Sequence, residues 1–185
     1  MQDTSRIVVF QDEVHFQQQA MVTCSWYKKG SGPKVKSYPG RRKVSYSGFV
    51  ILQTGQLFTA KPEKFAWETT VEAVRGFLKA HPAPDGKKYA LVMDNAPWHK
   101  KFRRLVFTER QPDYADIAEA VDLIKMPPYS PDLNPIEQVW RITRRENTHN
   151  VFFKTINEFS ETLDQVFSAW KNPNDQLRSL CSFKV

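Results

Sequence analysis

The sequence predicts an α/β fold in which a mixed β-sheet is flanked by helices. Two patterns lead to this prediction. Apolar, β-rich runs follow one another through the first 58 residues, and from residue 65 onward helical spacing alternates with further runs of this kind. Consecutive strands followed by alternating helices and strands are typical of a mixed sheet with helices on its faces. At 185 residues, the chain has the length of one domain, and we expect residues 1–185 to form it.

Each predicted strand is a short run of apolar or β-branched residues. The run RIVVFQ at residues 6–11 has apolar residues on both faces, which indicates a central strand that is buried on both sides. The run VSYSGFVILQ at residues 44–53 ends at a turn containing Thr54 and Gly55. Further strands are predicted at residues 20–27, 57–58, 89–93 and 123–126.

The helices are predicted from apolar residues that recur every three or four positions. Residues 65–80 form the first helix, because Phe65, Val71, Val74 and Phe77 can share one face. A second helix ends at residues 117–121. Residues 126–135 contain four prolines and are expected to be irregular. Amphipathic helices follow at residues 135–148 and 155–171.

Composition excludes several classes of protein. Hydrophobic residues make up 41% of the chain and aromatic residues 13%, which argues against a disordered protein. The two cysteines, Cys24 and Cys181, exclude a disulfide framework, and the lack of a CxxC pair excludes a cysteine-rich zinc module. No apolar run reaches the length of a membrane helix, and the polar start lacks a signal-peptide core. We therefore expect no membrane partner and a cytoplasmic location.

Charge points to a polyanionic partner. Lysine and arginine total 27 against 20 acidic residues, which gives a net charge of +7. A basic domain of this size favours nucleic acid, although a basic protein without such a partner is an alternative.

Two aspartates are candidates for chemistry because each directly follows an apolar strand. Ligands of open α/β sheets gather at the carboxyl ends of the strands, where Asp12 and Asp94 are expected. Two nearby carboxylates repel each other, and hard cations such as Mg²⁺ or Mn²⁺ relieve this repulsion. The alternative is that each aspartate only begins a turn. Glu13 neighbours Asp12 and is expected on the opposite face, so it is not predicted to be a ligand.

Glu137 is the third candidate, in the first turn of the helix predicted from Pro135. The functional interpretation is a rigid carboxylate that faces the metal. The alternative is a capping box, in which Asn134 is the N-cap and Glu137 accepts a hydrogen bond from its backbone N–H. Asp132 is another possible third ligand, although its position favours a role in shaping the loop.

Basic residues near these carboxylates are candidates for contacts with DNA. Residues 28–43 carry seven basic side chains and no acid, which predicts either an arm that follows phosphates or a solvated hairpin loop. His99 is expected either to contact a phosphate, to orient a ligand or to bond to the backbone at a helix start. The candidate DNA-binding residues are Arg41, Arg42, Lys43, His99, Lys100, Lys101, Arg104, Arg141 and Arg144.

Three segments resemble the catalytic domain of Tc/mariner-like DDE transposases, especially the bacterial insertion-sequence branch. They are FQDEVHF at residues 10–16, LVMDNAPWHK at residues 91–100 and MPPYSPDLNPIEQVW at residues 126–140. The third segment is the most specific of the three. The resemblance extends over about residues 6–170, which is most of the chain.

This resemblance implies a ribonuclease H-like fold in which Asp12, Asp94 and Glu137 are the catalytic triad. It implies that these carboxylates bind two Mg²⁺ or Mn²⁺ ions for cleavage of transposon ends and strand transfer into target DNA, by in-line displacement at phosphorus. It also implies DNA as the partner and a homodimer on paired ends.

The sequence departs from the family at its start, because related transposases carry a helix-turn-helix DNA-binding region before the first catalytic strand. We expect that region to be absent here and to be supplied by a separate or frameshift-joined module, in a bacterial, nucleoid-associated setting. Two alternative functions stay open. One is a structure-selective ribonuclease H-like nuclease, and the other is a domesticated or truncated module that binds DNA or assembles without catalysis.

Overall fold

The computed structural model describes residues 6–19, 26–32, 34, 36, 40–128 and 130–182, and within these residues the core of the fold is one five-stranded sheet. Its strands are β1 (Arg6–Gln17), β2 (Lys43–Ile51), β3 (Leu57–Ala60), β4 (Lys88–Met93) and β5 (Val121–Lys125). Their order across the sheet is β3-β2-β1-β4-β5. β1 is therefore the central strand, as the apolar character of both its faces predicted.

The sheet is mixed because β1 has neighbours of both orientations. It pairs antiparallel with β2 and parallel with β4, while β4 pairs parallel with β5. The parallel pairing ends at Phe10 opposite Val92, whereas the antiparallel pairing continues to Gln17 opposite Lys43. The prediction that Asp12 follows the end of its strand was wrong. Asp12 lies within β1, just beyond the last parallel pair, because β2 keeps this half of β1 extended.

Helices cover both faces of the sheet. They are α1 (Trp67–Ala80), α2 (Pro97–Arg103), α3 (Ala115–Ala120), α4 (Ile136–Thr143), α5 (Ile156–Ala169) and α6 (Asp175–Cys181). Two of them continue directly into a π-helical turn, α2 at Arg104–Thr108 and α4 at Arg144–Thr148. Most of the predicted helix and strand ends agree with these bounds to within two residues, the range over which such boundaries ordinarily vary.

Two hydrophobic cores lie on the opposite faces of the sheet. On one face, Val9 and Phe49 pack with Val71 and Phe77 of α1, and Phe102 of α2 lies in the same cluster. On the other face, Phe10 packs with a cluster that contains Tyr46 of β2, Trp140 of α4, Phe167 of α5 and Leu177 of α6. Successive side chains of a strand point to opposite faces, so β1 contributes to both cores. The predicted α/β class, a mixed sheet flanked by helices, is confirmed.

Two features of the fold differ from the sequence predictions. Residues 20–25 of the strand predicted at 20–27 lie outside the described residues. Its last two residues, Trp26 and Tyr27, are exposed and belong to no strand, because β1 pairs directly with β2. The helix α6 was not predicted, since only Leu177 and Cys181 of its seven residues are buried. Its start is fixed instead by the Asn174 side chain, which accepts a hydrogen bond from the Leu177 N–H at 3.0 Å.

Gly48 permits close contact between the sheet and α4. It pairs with Asp12 across β1 and β2, and the buried Trp140 ring lies directly over it. A Cβ atom at this position would lie 2.3 Å from Trp140 Cη2 and 3.1 Å from Ile136 Cδ1. The glycine is therefore needed for space, and it determines how closely α4 approaches Asp12.

We predict that Gly48→Ala lowers the free energy of unfolding by about 2 kcal/mol or more, because overpacking a close contact forces ring and backbone to shift. Urea unfolding of both proteins measures this difference. Gly32→Ala is the matched control, since a Cβ there meets no atom within 4 Å, and it should change stability by less than about 0.5 kcal/mol. Equal effects of the two substitutions would contradict the close packing of Trp140 on β2.

Candidate active site

A cleft of about 550 Å³ opens beside the central strands, and the three predicted carboxylates line it. Asp12 comes from β1, Asp94 directly follows β4, and Glu137 lies in the first turn of α4. Asn95, Lys100, Lys125 and Asn134 are among the other lining residues. The fold thus brings together three acidic residues that are distant in sequence.

Asp12 points toward α4 and is largely buried. Its Oδ2 accepts a hydrogen bond from Trp140 Nε1 at 3.0 Å. Burial raises the pKa of Asp12 to about 7, and the negative charge of Glu137 adds to this shift, while the Trp140 hydrogen bond opposes it. The ionised form of Asp12 is therefore poorly compensated by the groups around it, which is the condition that a bound cation would relieve.

Asp94 is held by two donors on one of its oxygens. Its Oδ1 accepts a hydrogen bond from the Ala96 N–H at 2.9 Å and lies 2.5 Å from His99 Nδ1. The His99 hydrogen bond is the largest cause of a lowered pKa for this carboxyl group. Asp94 is consequently an anion at neutral pH, with a side chain that is 47% exposed at the cleft.

His99 lies buried between two carboxylates. Its side chain is 3% exposed, and its Nε2 lies 2.8 Å from Glu13 Oε1. Burial alone would lower the pKa of His99, but the hydrogen bonds from its ring to Asp94 and Glu13 outweigh burial and raise it to about 9. The ring is therefore an imidazolium that donates to both carboxylates. This arrangement disagrees with the predicted phosphate contact, because neither ring nitrogen is left for a phosphate.

Glu13 was not predicted to belong to the site. It lies on the opposite face of β1 from Asp12, as expected from strand alternation, but this face meets α2 at His99. The sequence contains only part of the signal for this contact. Strand alternation places Glu13 on the face that a helix after Asp94 can cover, but no local pattern fixes the rotation that turns His99 toward that face.

The capping box predicted as the alternative role of Glu137 is not formed. The helix α4 begins at Ile136, its N-cap is Pro135, and no side chain accepts a hydrogen bond at this cap. The Asn134 side chain turns toward β1 instead, where its Nδ2 lies 3.5 Å from the Gln11 carbonyl oxygen. The Glu137 carboxylate is thus not used to cap its own helix.

The cleft offers hard oxygen donors suited to Mg²⁺ or Mn²⁺. Besides the carboxylates, Asn95 Oδ1 and Asn134 Oδ1 are buried and accept no hydrogen bond from another described residue. Across the described ranges, however, no three acidic, histidine or cysteine side chains converge tightly enough to enclose an ion. Asp94 Oδ1 faces His99 and Asp12 Oδ2 faces Trp140, so the donor set fits a cation in chemistry but is not closed around one. Asp132 lies in a separate groove with Pro135 and Gln138.

Two of the predicted DNA-binding arginines, Arg141 and Arg144, line a groove of about 580 Å³ beside the cleft. We call it the arginine groove. Its other lining residues include Glu137, Phe16 and His149. The half-buried Arg144 guanidinium lies 5.1 Å from the centre of the Phe16 ring. Burial lowers the pKa of Arg144, and the charges of Glu137 and Asp12 oppose this shift, so all three groups are electrostatically linked.

The other basic candidates divide into two groups. Lys100 lines the cleft itself, and Lys43 stands at the same end of β1, where its Nζ lies 3.1 Å from His15 Nε2. Arg41 and Arg42 are exposed just before Lys43. Lys101 packs over the Trp67 ring at 4.6 Å, and Arg104 pairs with Glu109 at 3.2 Å, so both are engaged by neighbours that do not line the cleft.

A larger cavity of about 1020 Å³ lies at the opposite end of the sheet, between the start of β1 and the end of α1. The described residues that line it include Ile7, Leu52 and Tyr89, and none of them is acidic. We therefore assign the candidate site to the smaller cleft, where the three acidic side chains Asp12, Asp94 and Glu137 lie together. In the described part of the chain, none of the helices combines the length and the apolar character that crossing a bilayer requires.

Comparison with known proteins identifies the family. Residues 7–160 match the family described as DDE superfamily endonuclease. The uncharacterized protein y4pE/y4sA of Sinorhizobium fredii (strain NBRC 101917 / NGR234) is 32% identical over 92 residues, which are 50% of this chain and 58% of that protein.

Solved structures of the mariner transposase Mos1 share the fold. The pre-cleavage Mos1 transpososome matches with a TM-score of 0.65 and 16% identity, over 94% of this chain and 51% of that one. The Mos1 strand transfer complex matches with a TM-score of 0.63 and 17% identity, over 94% and 50% of the respective chains. The chain thus spans about half the length of these relatives.

The predicted ribonuclease H-like fold is confirmed by this likeness. The predicted resemblance is confirmed by the family match for the DDE superfamily and by the fold of Mos1 for its mariner-like character. Together they show that this chain belongs to the DDE superfamily endonucleases, with the fold of the Mos1 transposase.

Proposed function

We propose that this chain is the catalytic domain of a DNA transposase that cleaves transposon ends and joins them to target DNA. The observation that carries the proposal is the cleft shared by Asp12, Asp94 and Glu137, which come from the three motifs that resemble those of DDE transposases. Family membership supports a phosphodiester-cleaving activity, and the Mos1 strand transfer complex is among the structural neighbours.

Asp12, Asp94 and Glu137 are the proposed catalytic residues and would together hold two Mg²⁺ or Mn²⁺ ions. Such ions supply charge stabilisation for in-line displacement at phosphorus and activate the attacking oxygen. Mos1 paired-end complexes are known with both Mg and Mn, which supports the choice of cation. The contribution of this chain is to orient the carboxylates: Trp140 holds Asp12, His99 holds Asp94, and the first turn of α4 carries Glu137.

DNA is the proposed substrate, and its phosphates would pass along both sides of Glu137. Lys100 in the cleft, and Arg141 and Arg144 in the arginine groove, supply positive charge there. Arg41, Arg42 and Lys43 extend this charge at the same end of β1. Phosphate contacts of this kind position a nucleic acid without reading its sequence. Recognition of transposon ends would therefore depend on a further module that reads DNA sequence, such as a helix-turn-helix region.

A homodimer on paired ends is the proposed working assembly. Mos1 forms paired-end complexes with transposon ends, and the same fold here supports a similar arrangement. A bacterial, nucleoid-associated location would accompany this function.

We predict that Asp94→Asn lowers the rate at which the protein nicks supercoiled plasmid in Mn²⁺ by at least about 100-fold, because loss of a metal-holding carboxylate removes several kcal/mol of transition-state stabilisation. Gel analysis of nicked product over time gives the rate. Asp122→Asn is the matched control. Asp122 lies on β5 outside the cleft, where its Oδ2 is 3.0 Å from Arg6 Nε.

Nicking by Asp94→Asn at the wild-type rate would refute the catalytic assignment of Asp94. Absence of metal-dependent nicking by the wild type would favour a non-catalytic DNA-binding module. A second reaction product distinguishes a transposase from the alternative, a structure-selective ribonuclease H-like nuclease. A transposase joins a 3′-end to the plasmid, whereas a structure-selective nuclease only cuts.

We also predict a pH-dependent gain of stability in Asp12→Asn. The pKa of Asp12 is raised from 3.8 to about 7 in the folded protein. The folded state therefore loses stability as the pH rises from about 4 through 7, by up to about 4 kcal/mol. Asp12→Asn removes this loss, so in EDTA the variant should exceed the wild type in unfolding free energy by much more at pH 8 than at pH 4.5.

Urea unfolding at the two pH values measures this gain. Mn²⁺ at pH 8 should stabilise the wild type and leave Asp12→Asn almost unchanged, because the cation offsets the charge only where the carboxylate is present. A difference between the proteins that is the same at both pH values would contradict the buried, poorly compensated state of Asp12.

A further inference from the structure

We propose that Glu13 and His99 form a buried positioning pair that holds the Asp94 carboxylate in the orientation needed to bind a divalent cation. The inference rests on the proposed function, since it assigns the two residues a role in cation binding by Asp94. Neither is a catalytic residue, because both act through another side chain.

The two oxygens of Asp94 have different surroundings. Oδ1 receives the Ala96 N–H at 2.9 Å and the His99 ring at 2.5 Å. Oδ2 accepts no hydrogen bond from another described residue, and the carboxylate lines the cleft. One oxygen is thus anchored while the other stays open toward the cleft, so rotation of the carboxylate would break the two hydrogen bonds to Oδ1.

Glu13 fixes the far side of the His99 ring. Its Oε1 accepts from His99 Nε2 at 2.8 Å and from Gln11 Nε2 at 2.9 Å, and its Oε2 accepts from Trp98 Nε1 at 3.3 Å. The Glu13 side chain is only 7% exposed. Because the imidazole is bonded at both nitrogens, it cannot turn without breaking a buried charged contact.

A purely structural explanation accounts poorly for these buried charges. Replacing a buried ion pair with apolar residues of similar volume is often neutral or stabilising, so stability alone does not require a glutamate and a histidine here. A role in orienting Asp94 explains why both are polar, since His99 bonds to Asp94 and Glu13 bonds to His99. Histidines that ligate metals are held in the same way by an outer carboxylate, and loss of such an outer partner typically weakens metal affinity by about 10- to 100-fold.

Direct cation binding by Glu13 or His99 is a less suitable explanation. Both nitrogens of His99 are engaged, and the ring is 3% exposed. Both oxygens of Glu13 accept hydrogen bonds on the face of β1 opposite Asp12. Glu13 and His99 can therefore influence a cation in the cleft through the contact of His99 with Asp94.

Mn²⁺ titration of the whole chain, followed by electron paramagnetic resonance of free Mn²⁺, tests the inference without relying on activity. Glu13→Ala and His99→Ala should each weaken Mn²⁺ affinity by about 10- to 100-fold. Glu13→Gln keeps an acceptor for the His99 ring, and His99→Asn keeps an N–H close to the position of Nδ1. Both conservative variants should restore most of the affinity. Glu72→Ala, on the exposed surface of α1, is the matched control and should bind as the wild type does.

Melting temperatures in EDTA separate positioning from folding. If the alanine variants melt earlier but bind Mn²⁺ as tightly as the wild type, the pair is structural and the inference is overturned. Should Glu13→Ala fail to fold, the comparison of His99→Ala with His99→Asn decides the question, because Glu13 is intact in both.

The proposed function fails in a different way. If Asp94→Asn binds Mn²⁺ as the wild type does, then Asp94 is no ligand and the proposed metal site is wrong. If Asp94→Asn loses binding while both alanine variants retain it, the proposed function stands and only the positioning role of Glu13 and His99 is refuted.

Discussion

The site depends on one interaction, the hydrogen bond between the Trp140 ring and the buried carboxylate of Asp12. Gly48 lets the Trp140 ring approach the sheet, and the ring then donates a hydrogen bond to Asp12 and carries α4, with Glu137, to the same place. Burial of this carboxylate raises the pKa of Asp12 to about 7, and the negative charge of Glu137, which the same packing brings near, adds to the shift. Close packing and charge repulsion are therefore coupled, and a cation between the acids would relieve the repulsion.

The central strand β1 joins the two halves of the site. Because neighbouring residues of a strand face opposite sides, Asp12 meets α4 while Glu13 meets α2. Trp140 donates a hydrogen bond to Asp12, and His99 joins Glu13 to Asp94. Two adjacent residues of β1 thus contact helices on both faces of the sheet. A small shift of β1 would therefore change the positions of all three carboxylates of the cleft.

Much of the fold could be predicted from the sequence, because the apolar runs of β1 and β4 and the helical spacing of α1 are strong local signals. The extension of β1 past Asp12 could not, since it depends on pairing with β2. The three candidate carboxylates could be singled out from the sequence, because they lie in three motifs that follow the order of the family they resemble, and the structure places them along one cleft. The contact of Glu13 with His99, and the turning of Asn134 away from its own helix, depend on how α2 and α4 rotate against the sheet, and no local pattern records that rotation.

The proposed function requires that Asp12, Asp94 and Glu137 bind cations together. A crystal structure of the chain soaked in Mn²⁺, with anomalous scattering to locate manganese, would show whether they do. We expect manganese peaks in the cleft within bonding distance of oxygens from all three residues, with Asp94 still held by His99. A cleft free of manganese, or manganese bound away from these carboxylates, would contradict it.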